Sequence, residues 1–367
     1  MKNARPRIGI IGAGGFLGTR LIESWFLGGH IHPVAIVRRP ASLARLARFP
    51  VEQKIADAAD PKSLADAIRN CDGLVHATVG QPREIIQSAR SLVEAVRLAG
   101  VPRTVYLSSA LVHGPHPERD FDESAPLALR QSSEYGRAKI KAEQILVGGG
   151  LSQLVRLRPG IVYGPRSRWI VEPVAALRAG SFGILNNGKG ICPAIYVDNL
   201  IHAIECAIDC ENADGHAFLV RDSESLTWNE FYQPILRALD YTSNAIRDGV
   251  MAPSPPWWQQ RAEALRVHPQ SQQLLAHVPN HWKQAAKGAL QGFGQRSRPA
   301  PQVHSERTTI LPTELAELQQ NRSTFSNHRA REIMGYSPSI KFADGMARSL
   351  AWLKFTGATR AESVISS

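Results

Sequence analysis

The stretch IGIIGAGGFLGTRL, residues 8–21, constrains the chain more than any other. Apolar residues of strand length run into glycines at 12, 15 and 18, and helix-forming residues follow. A strand that turns on glycines straight into a helix is the usual opening unit of a parallel α/β sheet. Backbone N–H groups of the turn and the positive end of the helix then face the space beyond the strand tip, where a pyrophosphate is well accommodated. Strand-to-helix turns also favour glycine for steric reasons alone, and Leu17 stands where the simplest G-x-G-x-x-G fingerprint has glycine. The remainder of the chain has to decide between the two readings.

It alternates strand and helix. After a helix over 18–28, HPVAIV (32–37) has strand length, SLARLARF (42–49) reads as a helix, and VEQKIAD (51–57) as a third strand. Helix 61–70, strand 71–80, helix 82–100, strand 103–109, helix 133–149 and strand 152–159 follow. Strands joined by crossover helices make a doubly wound parallel sheet, a Rossmann-type α/β fold, with its ligand crevice beyond the carboxyl ends of the strands. The alternation fades after Tyr163, and AIYVDNLIHAIECAI (194–208) reads as a strand and helix that rejoin the sheet. Residues 1–165 plus about 192–211 are therefore expected to form the sheet domain. Residues 166–191 and 212–367 are expected to form a smaller substrate lobe, with a Trp-containing basic insertion at about 250–324.

With 367 residues, 43% hydrophobic, the chain can bury a sizeable core. It has no membrane-length apolar run and no secretory-type leader, and its four cysteines form neither a disulfide framework nor a metal motif. These features predict a soluble cytoplasmic protein without a metal. The formal charge of +11 invites an anionic partner, but the basic residues are dispersed and no nucleic-acid-reading module is present, so no nucleic acid is expected.

Two clusters carry candidate chemistry. Arg38 and Arg39 end the second strand, where an acidic residue would hydrogen-bond the ribose of NAD. A guanidinium instead accommodates a 2′-phosphate, so NADP(H) is favoured over NAD(H). In SSEYGRAKIKAEQ, Tyr135 and Lys139 share a helix face. A neighbouring ammonium is expected to lower the phenol's pKa into a range useful for proton transfer. Ser109, at the end of the fifth strand, is placed to hold a substrate oxygen beside them.

With CDGLVHATVG, DESAPL, RLRPGIVYGP, AIYVDNLIHAI and FSNHRAREIMGYSPSIKFADGMARSLAWL, the chain resembles an extended short-chain dehydrogenase/reductase of the NAD-dependent epimerase/dehydratase type. The resemblance implies a catalytic triad of Ser109, Tyr135 and Lys139, Lys139 also binding the nicotinamide ribose. It implies Asp57 and Ala58 at the adenine and Thr78, Val79 and Gly80 beneath the ribose and pyrophosphate. Pro159, Ile161 and Val162 would reach the nicotinamide, and Gly12, Gly15, Phe16, Leu17 and Gly18 would form the phosphate floor. It further implies a homodimer through helices at about 83–99 and 134–148.

Ala110 and Leu111 replace the acidic pair that sugar 4,6-dehydratases carry, which disfavours elimination of water, and His113 stands at a packing position often held by tyrosine. The expected function is hydride transfer between NADP(H) and a carbonyl or secondary alcohol of a small-molecule substrate. The alternatives are a nucleotide-sugar epimerase holding NAD tightly and a non-catalytic dinucleotide-binding protein. Between Trp257 and Arg298 six Lys or Arg accompany one Glu. Peripheral membrane contact through 257–298 is the sharper reading of this segment, and a solvated insertion is the favoured one.

Overall fold

The computed structural model describes residues 5–115, 120–129, 133–242, 246–251 and 308–358. At its centre are strands β1 (Arg7–Ile11), β2 (His32–Val37), β3 (Glu52–Ile55), β4 (Gly73–His76), β5 (Arg103–Leu107), β6 (Gln153–Pro159) and β11 (Ala217–Val220). They form one sheet of order β11-β6-β5-β4-β1-β2-β3, and every neighbouring pair is parallel. The apolar runs are explained by two-sided burial. In β2, Ala35 and Val37 join the core on one face, and Val34 and Ile36 join the core on the other.

Helices α1 (Phe16–Gly28) and α6 (Val197–Asp209) cover the first face with Leu21, Trp25, Leu200 and Ile204. Arg20 of α1 grips Asp198 of α6 through two hydrogen bonds, Nε to Oδ1 at 2.7 Å and Nη2 to Oδ2 at 2.9 Å. The second face is covered by α2 (Pro61–Ile68), α3 (Pro82–Ala99) and α4 (Glu134–Gly148) through Leu64, Ile85, Leu92 and Leu146. Each such side chain contributes roughly 1.5–3 kcal/mol by leaving water.

Two features differ from expectation. Residues 42–49 form no α-helix: a 3₁₀ turn over Pro40–Leu43 and further turns connect β2 to β3. Ser42 packs against the glycine turn, where a Cβ on Gly14 would sit 2.7 Å from its Cβ. The return strand β10 (Ala194–Tyr196) does not rejoin the main sheet either. It pairs with β7 (Ile161–Tyr163) in a separate two-stranded sheet. The place beside β6 is taken by β11, from the range assigned to the second lobe, because Phe218 and Val220 complete the core against α6. The sheet domain therefore extends to residue 220.

The second lobe is built on α5 (Arg168–Arg178), α7 (Trp228–Ala238), α8 (Thr313–Gln320) and α10 (Phe342–Phe355), while α9 (His328–Met334) packs on β11 and α6. Its core is aromatic: Tyr163 meets Tyr196 and Phe231 edge-on at 5.4 Å, and Trp228 stacks on Tyr232 at 5.5 Å. A small parallel sheet of β8 (Gly183–Ile184), β13 (Arg247–Met251) and β14 (Thr308–Leu311) leads into α8. Within the range 250–324 expected as an insertion in this lobe, residues 308–320 form β14 and α8. Trp257, Trp258, Trp282 and the basic segment 257–298 lie outside the described residues. No helix among the described residues is long and apolar enough to cross a membrane.

Candidate active site

A cleft of about 1680 Å³ runs along the carboxyl ends of the strands and under the second lobe. The glycine turn forms its floor. Gly12 has φ +91°, a left-handed conformation that disfavours any side chain, and its N–H and that of Ala13 donate to the Ile36 carbonyl at 3.1 and 3.2 Å. Gly15 opens α1 without a side-chain cap, and no acidic residue occupies the helix's first turn. That leaves the helix N-terminus free for an anion. These are the properties of a phosphate cradle.

Most of the expected cofactor residues line this cleft. Gly12, Gly15, Phe16 and Leu17 lie at the turn, Arg38 at the end of β2, Asp57 and Ala58 after β3, and Thr78, Val79 and Gly80 after β4. Pro159, Ile161 and Val162 line its inner part. Two residues do not line it. Gly18 packs α1 onto the turn: a Cβ there would sit 2.3 Å from the Gly12 carbonyl oxygen. Arg39 is exposed and is not among the residues lining the cleft. Arg38 faces Glu84 of α3 at 3.5 Å, both side chains being 56% exposed, so the pair is loose enough to open for a ligand.

Ser109, Tyr135 and Lys139 meet where the cleft passes under the second lobe. The Ser109 hydroxyl accepts from the Leu111 N–H at 3.2 Å. Burial pushes the Tyr135 phenol up to about 12, and the Glu314 carboxylate adds to this, while the Ser109 hydroxyl and Arg168 work against it. The expected lowering by Lys139 is not seen. Its ammonium, 5.8 Å from the Tyr135 ring, is committed to the Leu107 carbonyl at 2.7 Å and to the Tyr106 hydroxyl at 3.4 Å. Burial pushes Lys139 itself down to about 8, with Glu143 partly restoring it.

Behind the triad lies a buried ionic network that the sequence reading passed over. Glu143, one turn beyond Lys139 on α4, accepts from Arg158 Nη2 at 2.7 Å and Nε at 3.0 Å, from Arg156 Nη1 at 3.4 Å and from the Ser108 hydroxyl at 2.5 Å. Arg158 also donates to Nε2 of the buried His113 at 3.0 Å, so His113 is a member of this network rather than simple packing. Burial, with the Arg158 charge, pushes that imidazole down to about 4 and keeps it an acceptor. A signal was available: a carboxylate at i+4 from Lys139 and two arginines at alternate positions of an apolar strand require one another.

The second lobe adds lining that sequence reasoning also missed: Arg168, Trp169 and Glu172 of α5, Tyr232 of α7, Glu314 and Leu315 of α8, and Phe325. Phe325 bridges to Phe121, which joins the C-terminal segment to the loop after β5. Ala110 and Leu111 line the same chamber. Among the described residues no group of His, Cys, Asp or Glu is arranged to hold a metal ion.

The family model for the NAD dependent epimerase/dehydratase family matches residues 8–220. The chain belongs to that family, within the extended short-chain dehydrogenases/reductases, and is an enzyme of this class. The Arabidopsis thaliana 3beta-hydroxysteroid-dehydrogenase/decarboxylase isoform 1 is 26% identical over 280 residues, covering 72% of this chain and 56% of its own length. The chain spans about half the length of the plant relatives it matches. The Uncharacterized protein y4nL of Sinorhizobium fredii is 24% identical, with 95% of each chain covered. Among solved structures, DesIV, a dTDP-glucose 4,6-dehydratase from Streptomyces venezuelae with NAD and TYD bound, superposes with TM-score 0.69 at 17% identity, covering 96% of this chain and 98% of its own. The Bacillus cereus UDP-glucuronic acid 4-epimerase in complex with UDP-glucuronic acid and NAD gives 0.67 at 16%, covering 95% and 99%. At these identities the likeness is one of fold.

Proposed function

We propose that this enzyme transfers hydride between a nicotinamide cofactor, NADP(H) in preference to NAD(H), and a carbonyl or secondary alcohol. The observation that carries the reading is the convergence of Ser109, Tyr135 and Lys139 in the cleft whose floor is the uncapped glycine turn. The cofactor, when bound, supplies or accepts the hydride at its nicotinamide ring. Tyr135 gives or takes the proton at the substrate oxygen, and the Ser109 hydroxyl holds that oxygen. Lys139 has three N–H donors. Two go to Leu107 and Tyr106, which leaves one for a ligand hydroxyl. The preference for NADP(H) rests on Arg38 at the end of β2, where its loose pairing with Glu84 lets it turn to a 2′-phosphate.

A sugar 4,6-dehydratase is disfavoured by apolar Ala110 and Leu111 in the chamber. The reading includes a homodimer through α3 and α4, which leave Leu98 and Val147 exposed.

The test is a screen of ketones, sterols and UDP- or GDP-sugars for NADPH consumption or epimer formation, repeated with Tyr135→Phe. That variant is expected to keep cofactor affinity and to lose turnover by about 10²–10⁴-fold. Unchanged turnover would assign the proton transfer to another group.

A further inference from the structure

The Lys139 ammonium is buried, and no carboxylate pairs with it among the described residues. Glu143, one turn along α4, acts on it only at a distance, because its oxygens are committed to Arg158, Arg156 and Ser108. A buried charge without a counter-ion is costly unless other groups solvate it. Here β5 does so. The Leu107 carbonyl accepts from Nζ at 2.7 Å and the Tyr106 hydroxyl at 3.4 Å. The Tyr106 ring centroid lies 4.9 Å from Nζ, closer than the Tyr135 ring at 5.8 Å. Tyr106 thus offers the ammonium both an oxygen lone pair and a π face.

Tyr106 is itself fixed and has no other polar task. It is fully buried, and its ring meets the His76 imidazole of β4 at 5.3 Å with 31° between the planes. The Thr78 hydroxyl, at the cleft, lies 3.3 Å from His76 Nε2. Burial, then the Lys139 charge, pushes the imidazole down to about 3, so it stays neutral near the ammonium. The Tyr106 hydroxyl makes no second hydrogen bond among the described residues. Neither Tyr106 nor His76 lines the cleft, so neither meets a ligand directly.

We propose that Tyr106 is a positioning residue for the reaction: its hydroxyl and ring keep the Lys139 ammonium charged and aimed so that its remaining N–H is presented to the cleft. The role rests on the hydride-transfer reading for what Lys139 meets there, whereas the hold on Lys139 exists without a ligand. The hydroxyl accepts from the ammonium and donates to the neutral amine, and the charge-assisted bond is the stronger. Tyr106 therefore favours the protonated form. The titratable groups facing Lys139 are Tyr106 of β5, His76 of β4, and Tyr135 and Glu143 of α4, with Arg156 and Arg158 of β6 behind Glu143. Of these, Tyr106 alone shares a hydrogen bond with the ammonium.

The experiment uses the full chain labelled with [ε-¹³C]lysine and titrated by NMR without cofactor from about pH 6 to 11. The Lys139 signal is assigned from Lys139→Arg. Tyr106→Phe keeps the ring and removes the hydroxyl. Its Lys139 midpoint is expected to fall by about one pH unit, and NADPH, followed by fluorescence at about pH 8, to bind about tenfold more weakly. Tyr163→Phe removes another buried hydroxyl, one that has no hydrogen-bond partner, and is expected to match the wild type in both readouts. Unmoved signals from the other lysines establish that the variants fold.

A Lys139 midpoint in Tyr106→Phe equal to that of the wild type overturns the inference, as does an equal fall in Tyr163→Phe. A lowered midpoint with undiminished NADPH affinity overturns it too, since the hold would then not reach the ligand. A wild type that binds neither NADPH nor NADH refutes the hydride-transfer reading instead, and the cofactor-free titration still decides whether Tyr106 holds Lys139.

Discussion

Glu143→Gln gives the sharpest test of how the triad is held. In the native protein Glu143 is 1% exposed, and its two oxygens receive Arg158, Arg156 and Ser108. The substitution turns one oxygen into an amide NH₂ facing guanidinium groups and leaves the buried Arg158 charge without a counter-charge. Breaking a buried pair from one side costs about 3–5 kcal/mol, which lowers the thermal midpoint of a chain of this size by about 4–6 °C.

The pH dependence is specific. Burial works to raise the Glu143 pKa, but hydrogen bonds and charge from Arg158, joined by Ser108 and Arg156, outweigh it and hold the carboxyl below its ordinary value. A carboxylate whose folded pKa is depressed stabilises above its unfolded pKa, and that stability is lost as pH falls through the folded value. The midpoint difference between wild type and variant should therefore be full at pH 7 and narrow below about pH 4. Differential scanning calorimetry from pH 3 to 8 reads it directly. Turnover should fall too, because Ser108 adjoins Ser109 and α4 carries Tyr135 and Lys139. A variant that melts with the wild type at pH 7, or a Glu143→Gln/Arg158→Met cycle with additive effects, would refute the coupling.

Three further outcomes are expected. Gly18→Ala places a methyl 2.3 Å from the Gly12 carbonyl oxygen, costing about 1–3 kcal/mol or more; a native midpoint with native cofactor affinity would contradict the close packing. Asp222, buried against Asn199 and the Tyr196 N–H, is pushed up to about 7 chiefly by burial. A raised carboxyl stabilises below its unfolded pKa and loses that contribution as pH rises through the folded value. Stability should thus decline from about pH 4 to above pH 7, and Asp222→Asn should flatten the decline in thermal melts. Arg38→Ala should weaken NADPH binding by about 10–100-fold in a fluorescence titration and leave NADH almost unaffected; equal losses for the two would remove the 2′-phosphate role.

What was legible in the sequence was local. The glycine turn and the Tyr135–Lys139 spacing each depend on a few consecutive residues whose geometry a strand end or one helical turn dictates. The two-sided sheet was legible from unbroken apolar runs such as that of β2. The electrostatics of the triad were not, because i and i+4 spacing says nothing about Leu107 and Tyr106, which take up the Lys139 donors from another element. Arg168 and Glu314 reach the chamber from segments nearly 150 residues apart, and no periodicity signals such a meeting. β11 was obscured because four buried residues after a helix look alike in a lobe and at a sheet edge.

That late strand ties the molecule's cooperativity to its chain order. The chain leaves the central layer after β6, builds part of the upper lobe, and returns to lay down β11 before departing again. A fragment cut at residue 165 would keep the whole cofactor floor yet present the unpaired backbone of β6 to solvent, a template for joining strands from other molecules. Neither half is a self-sufficient module, so this nucleotide-binding layer is not one to transplant alone.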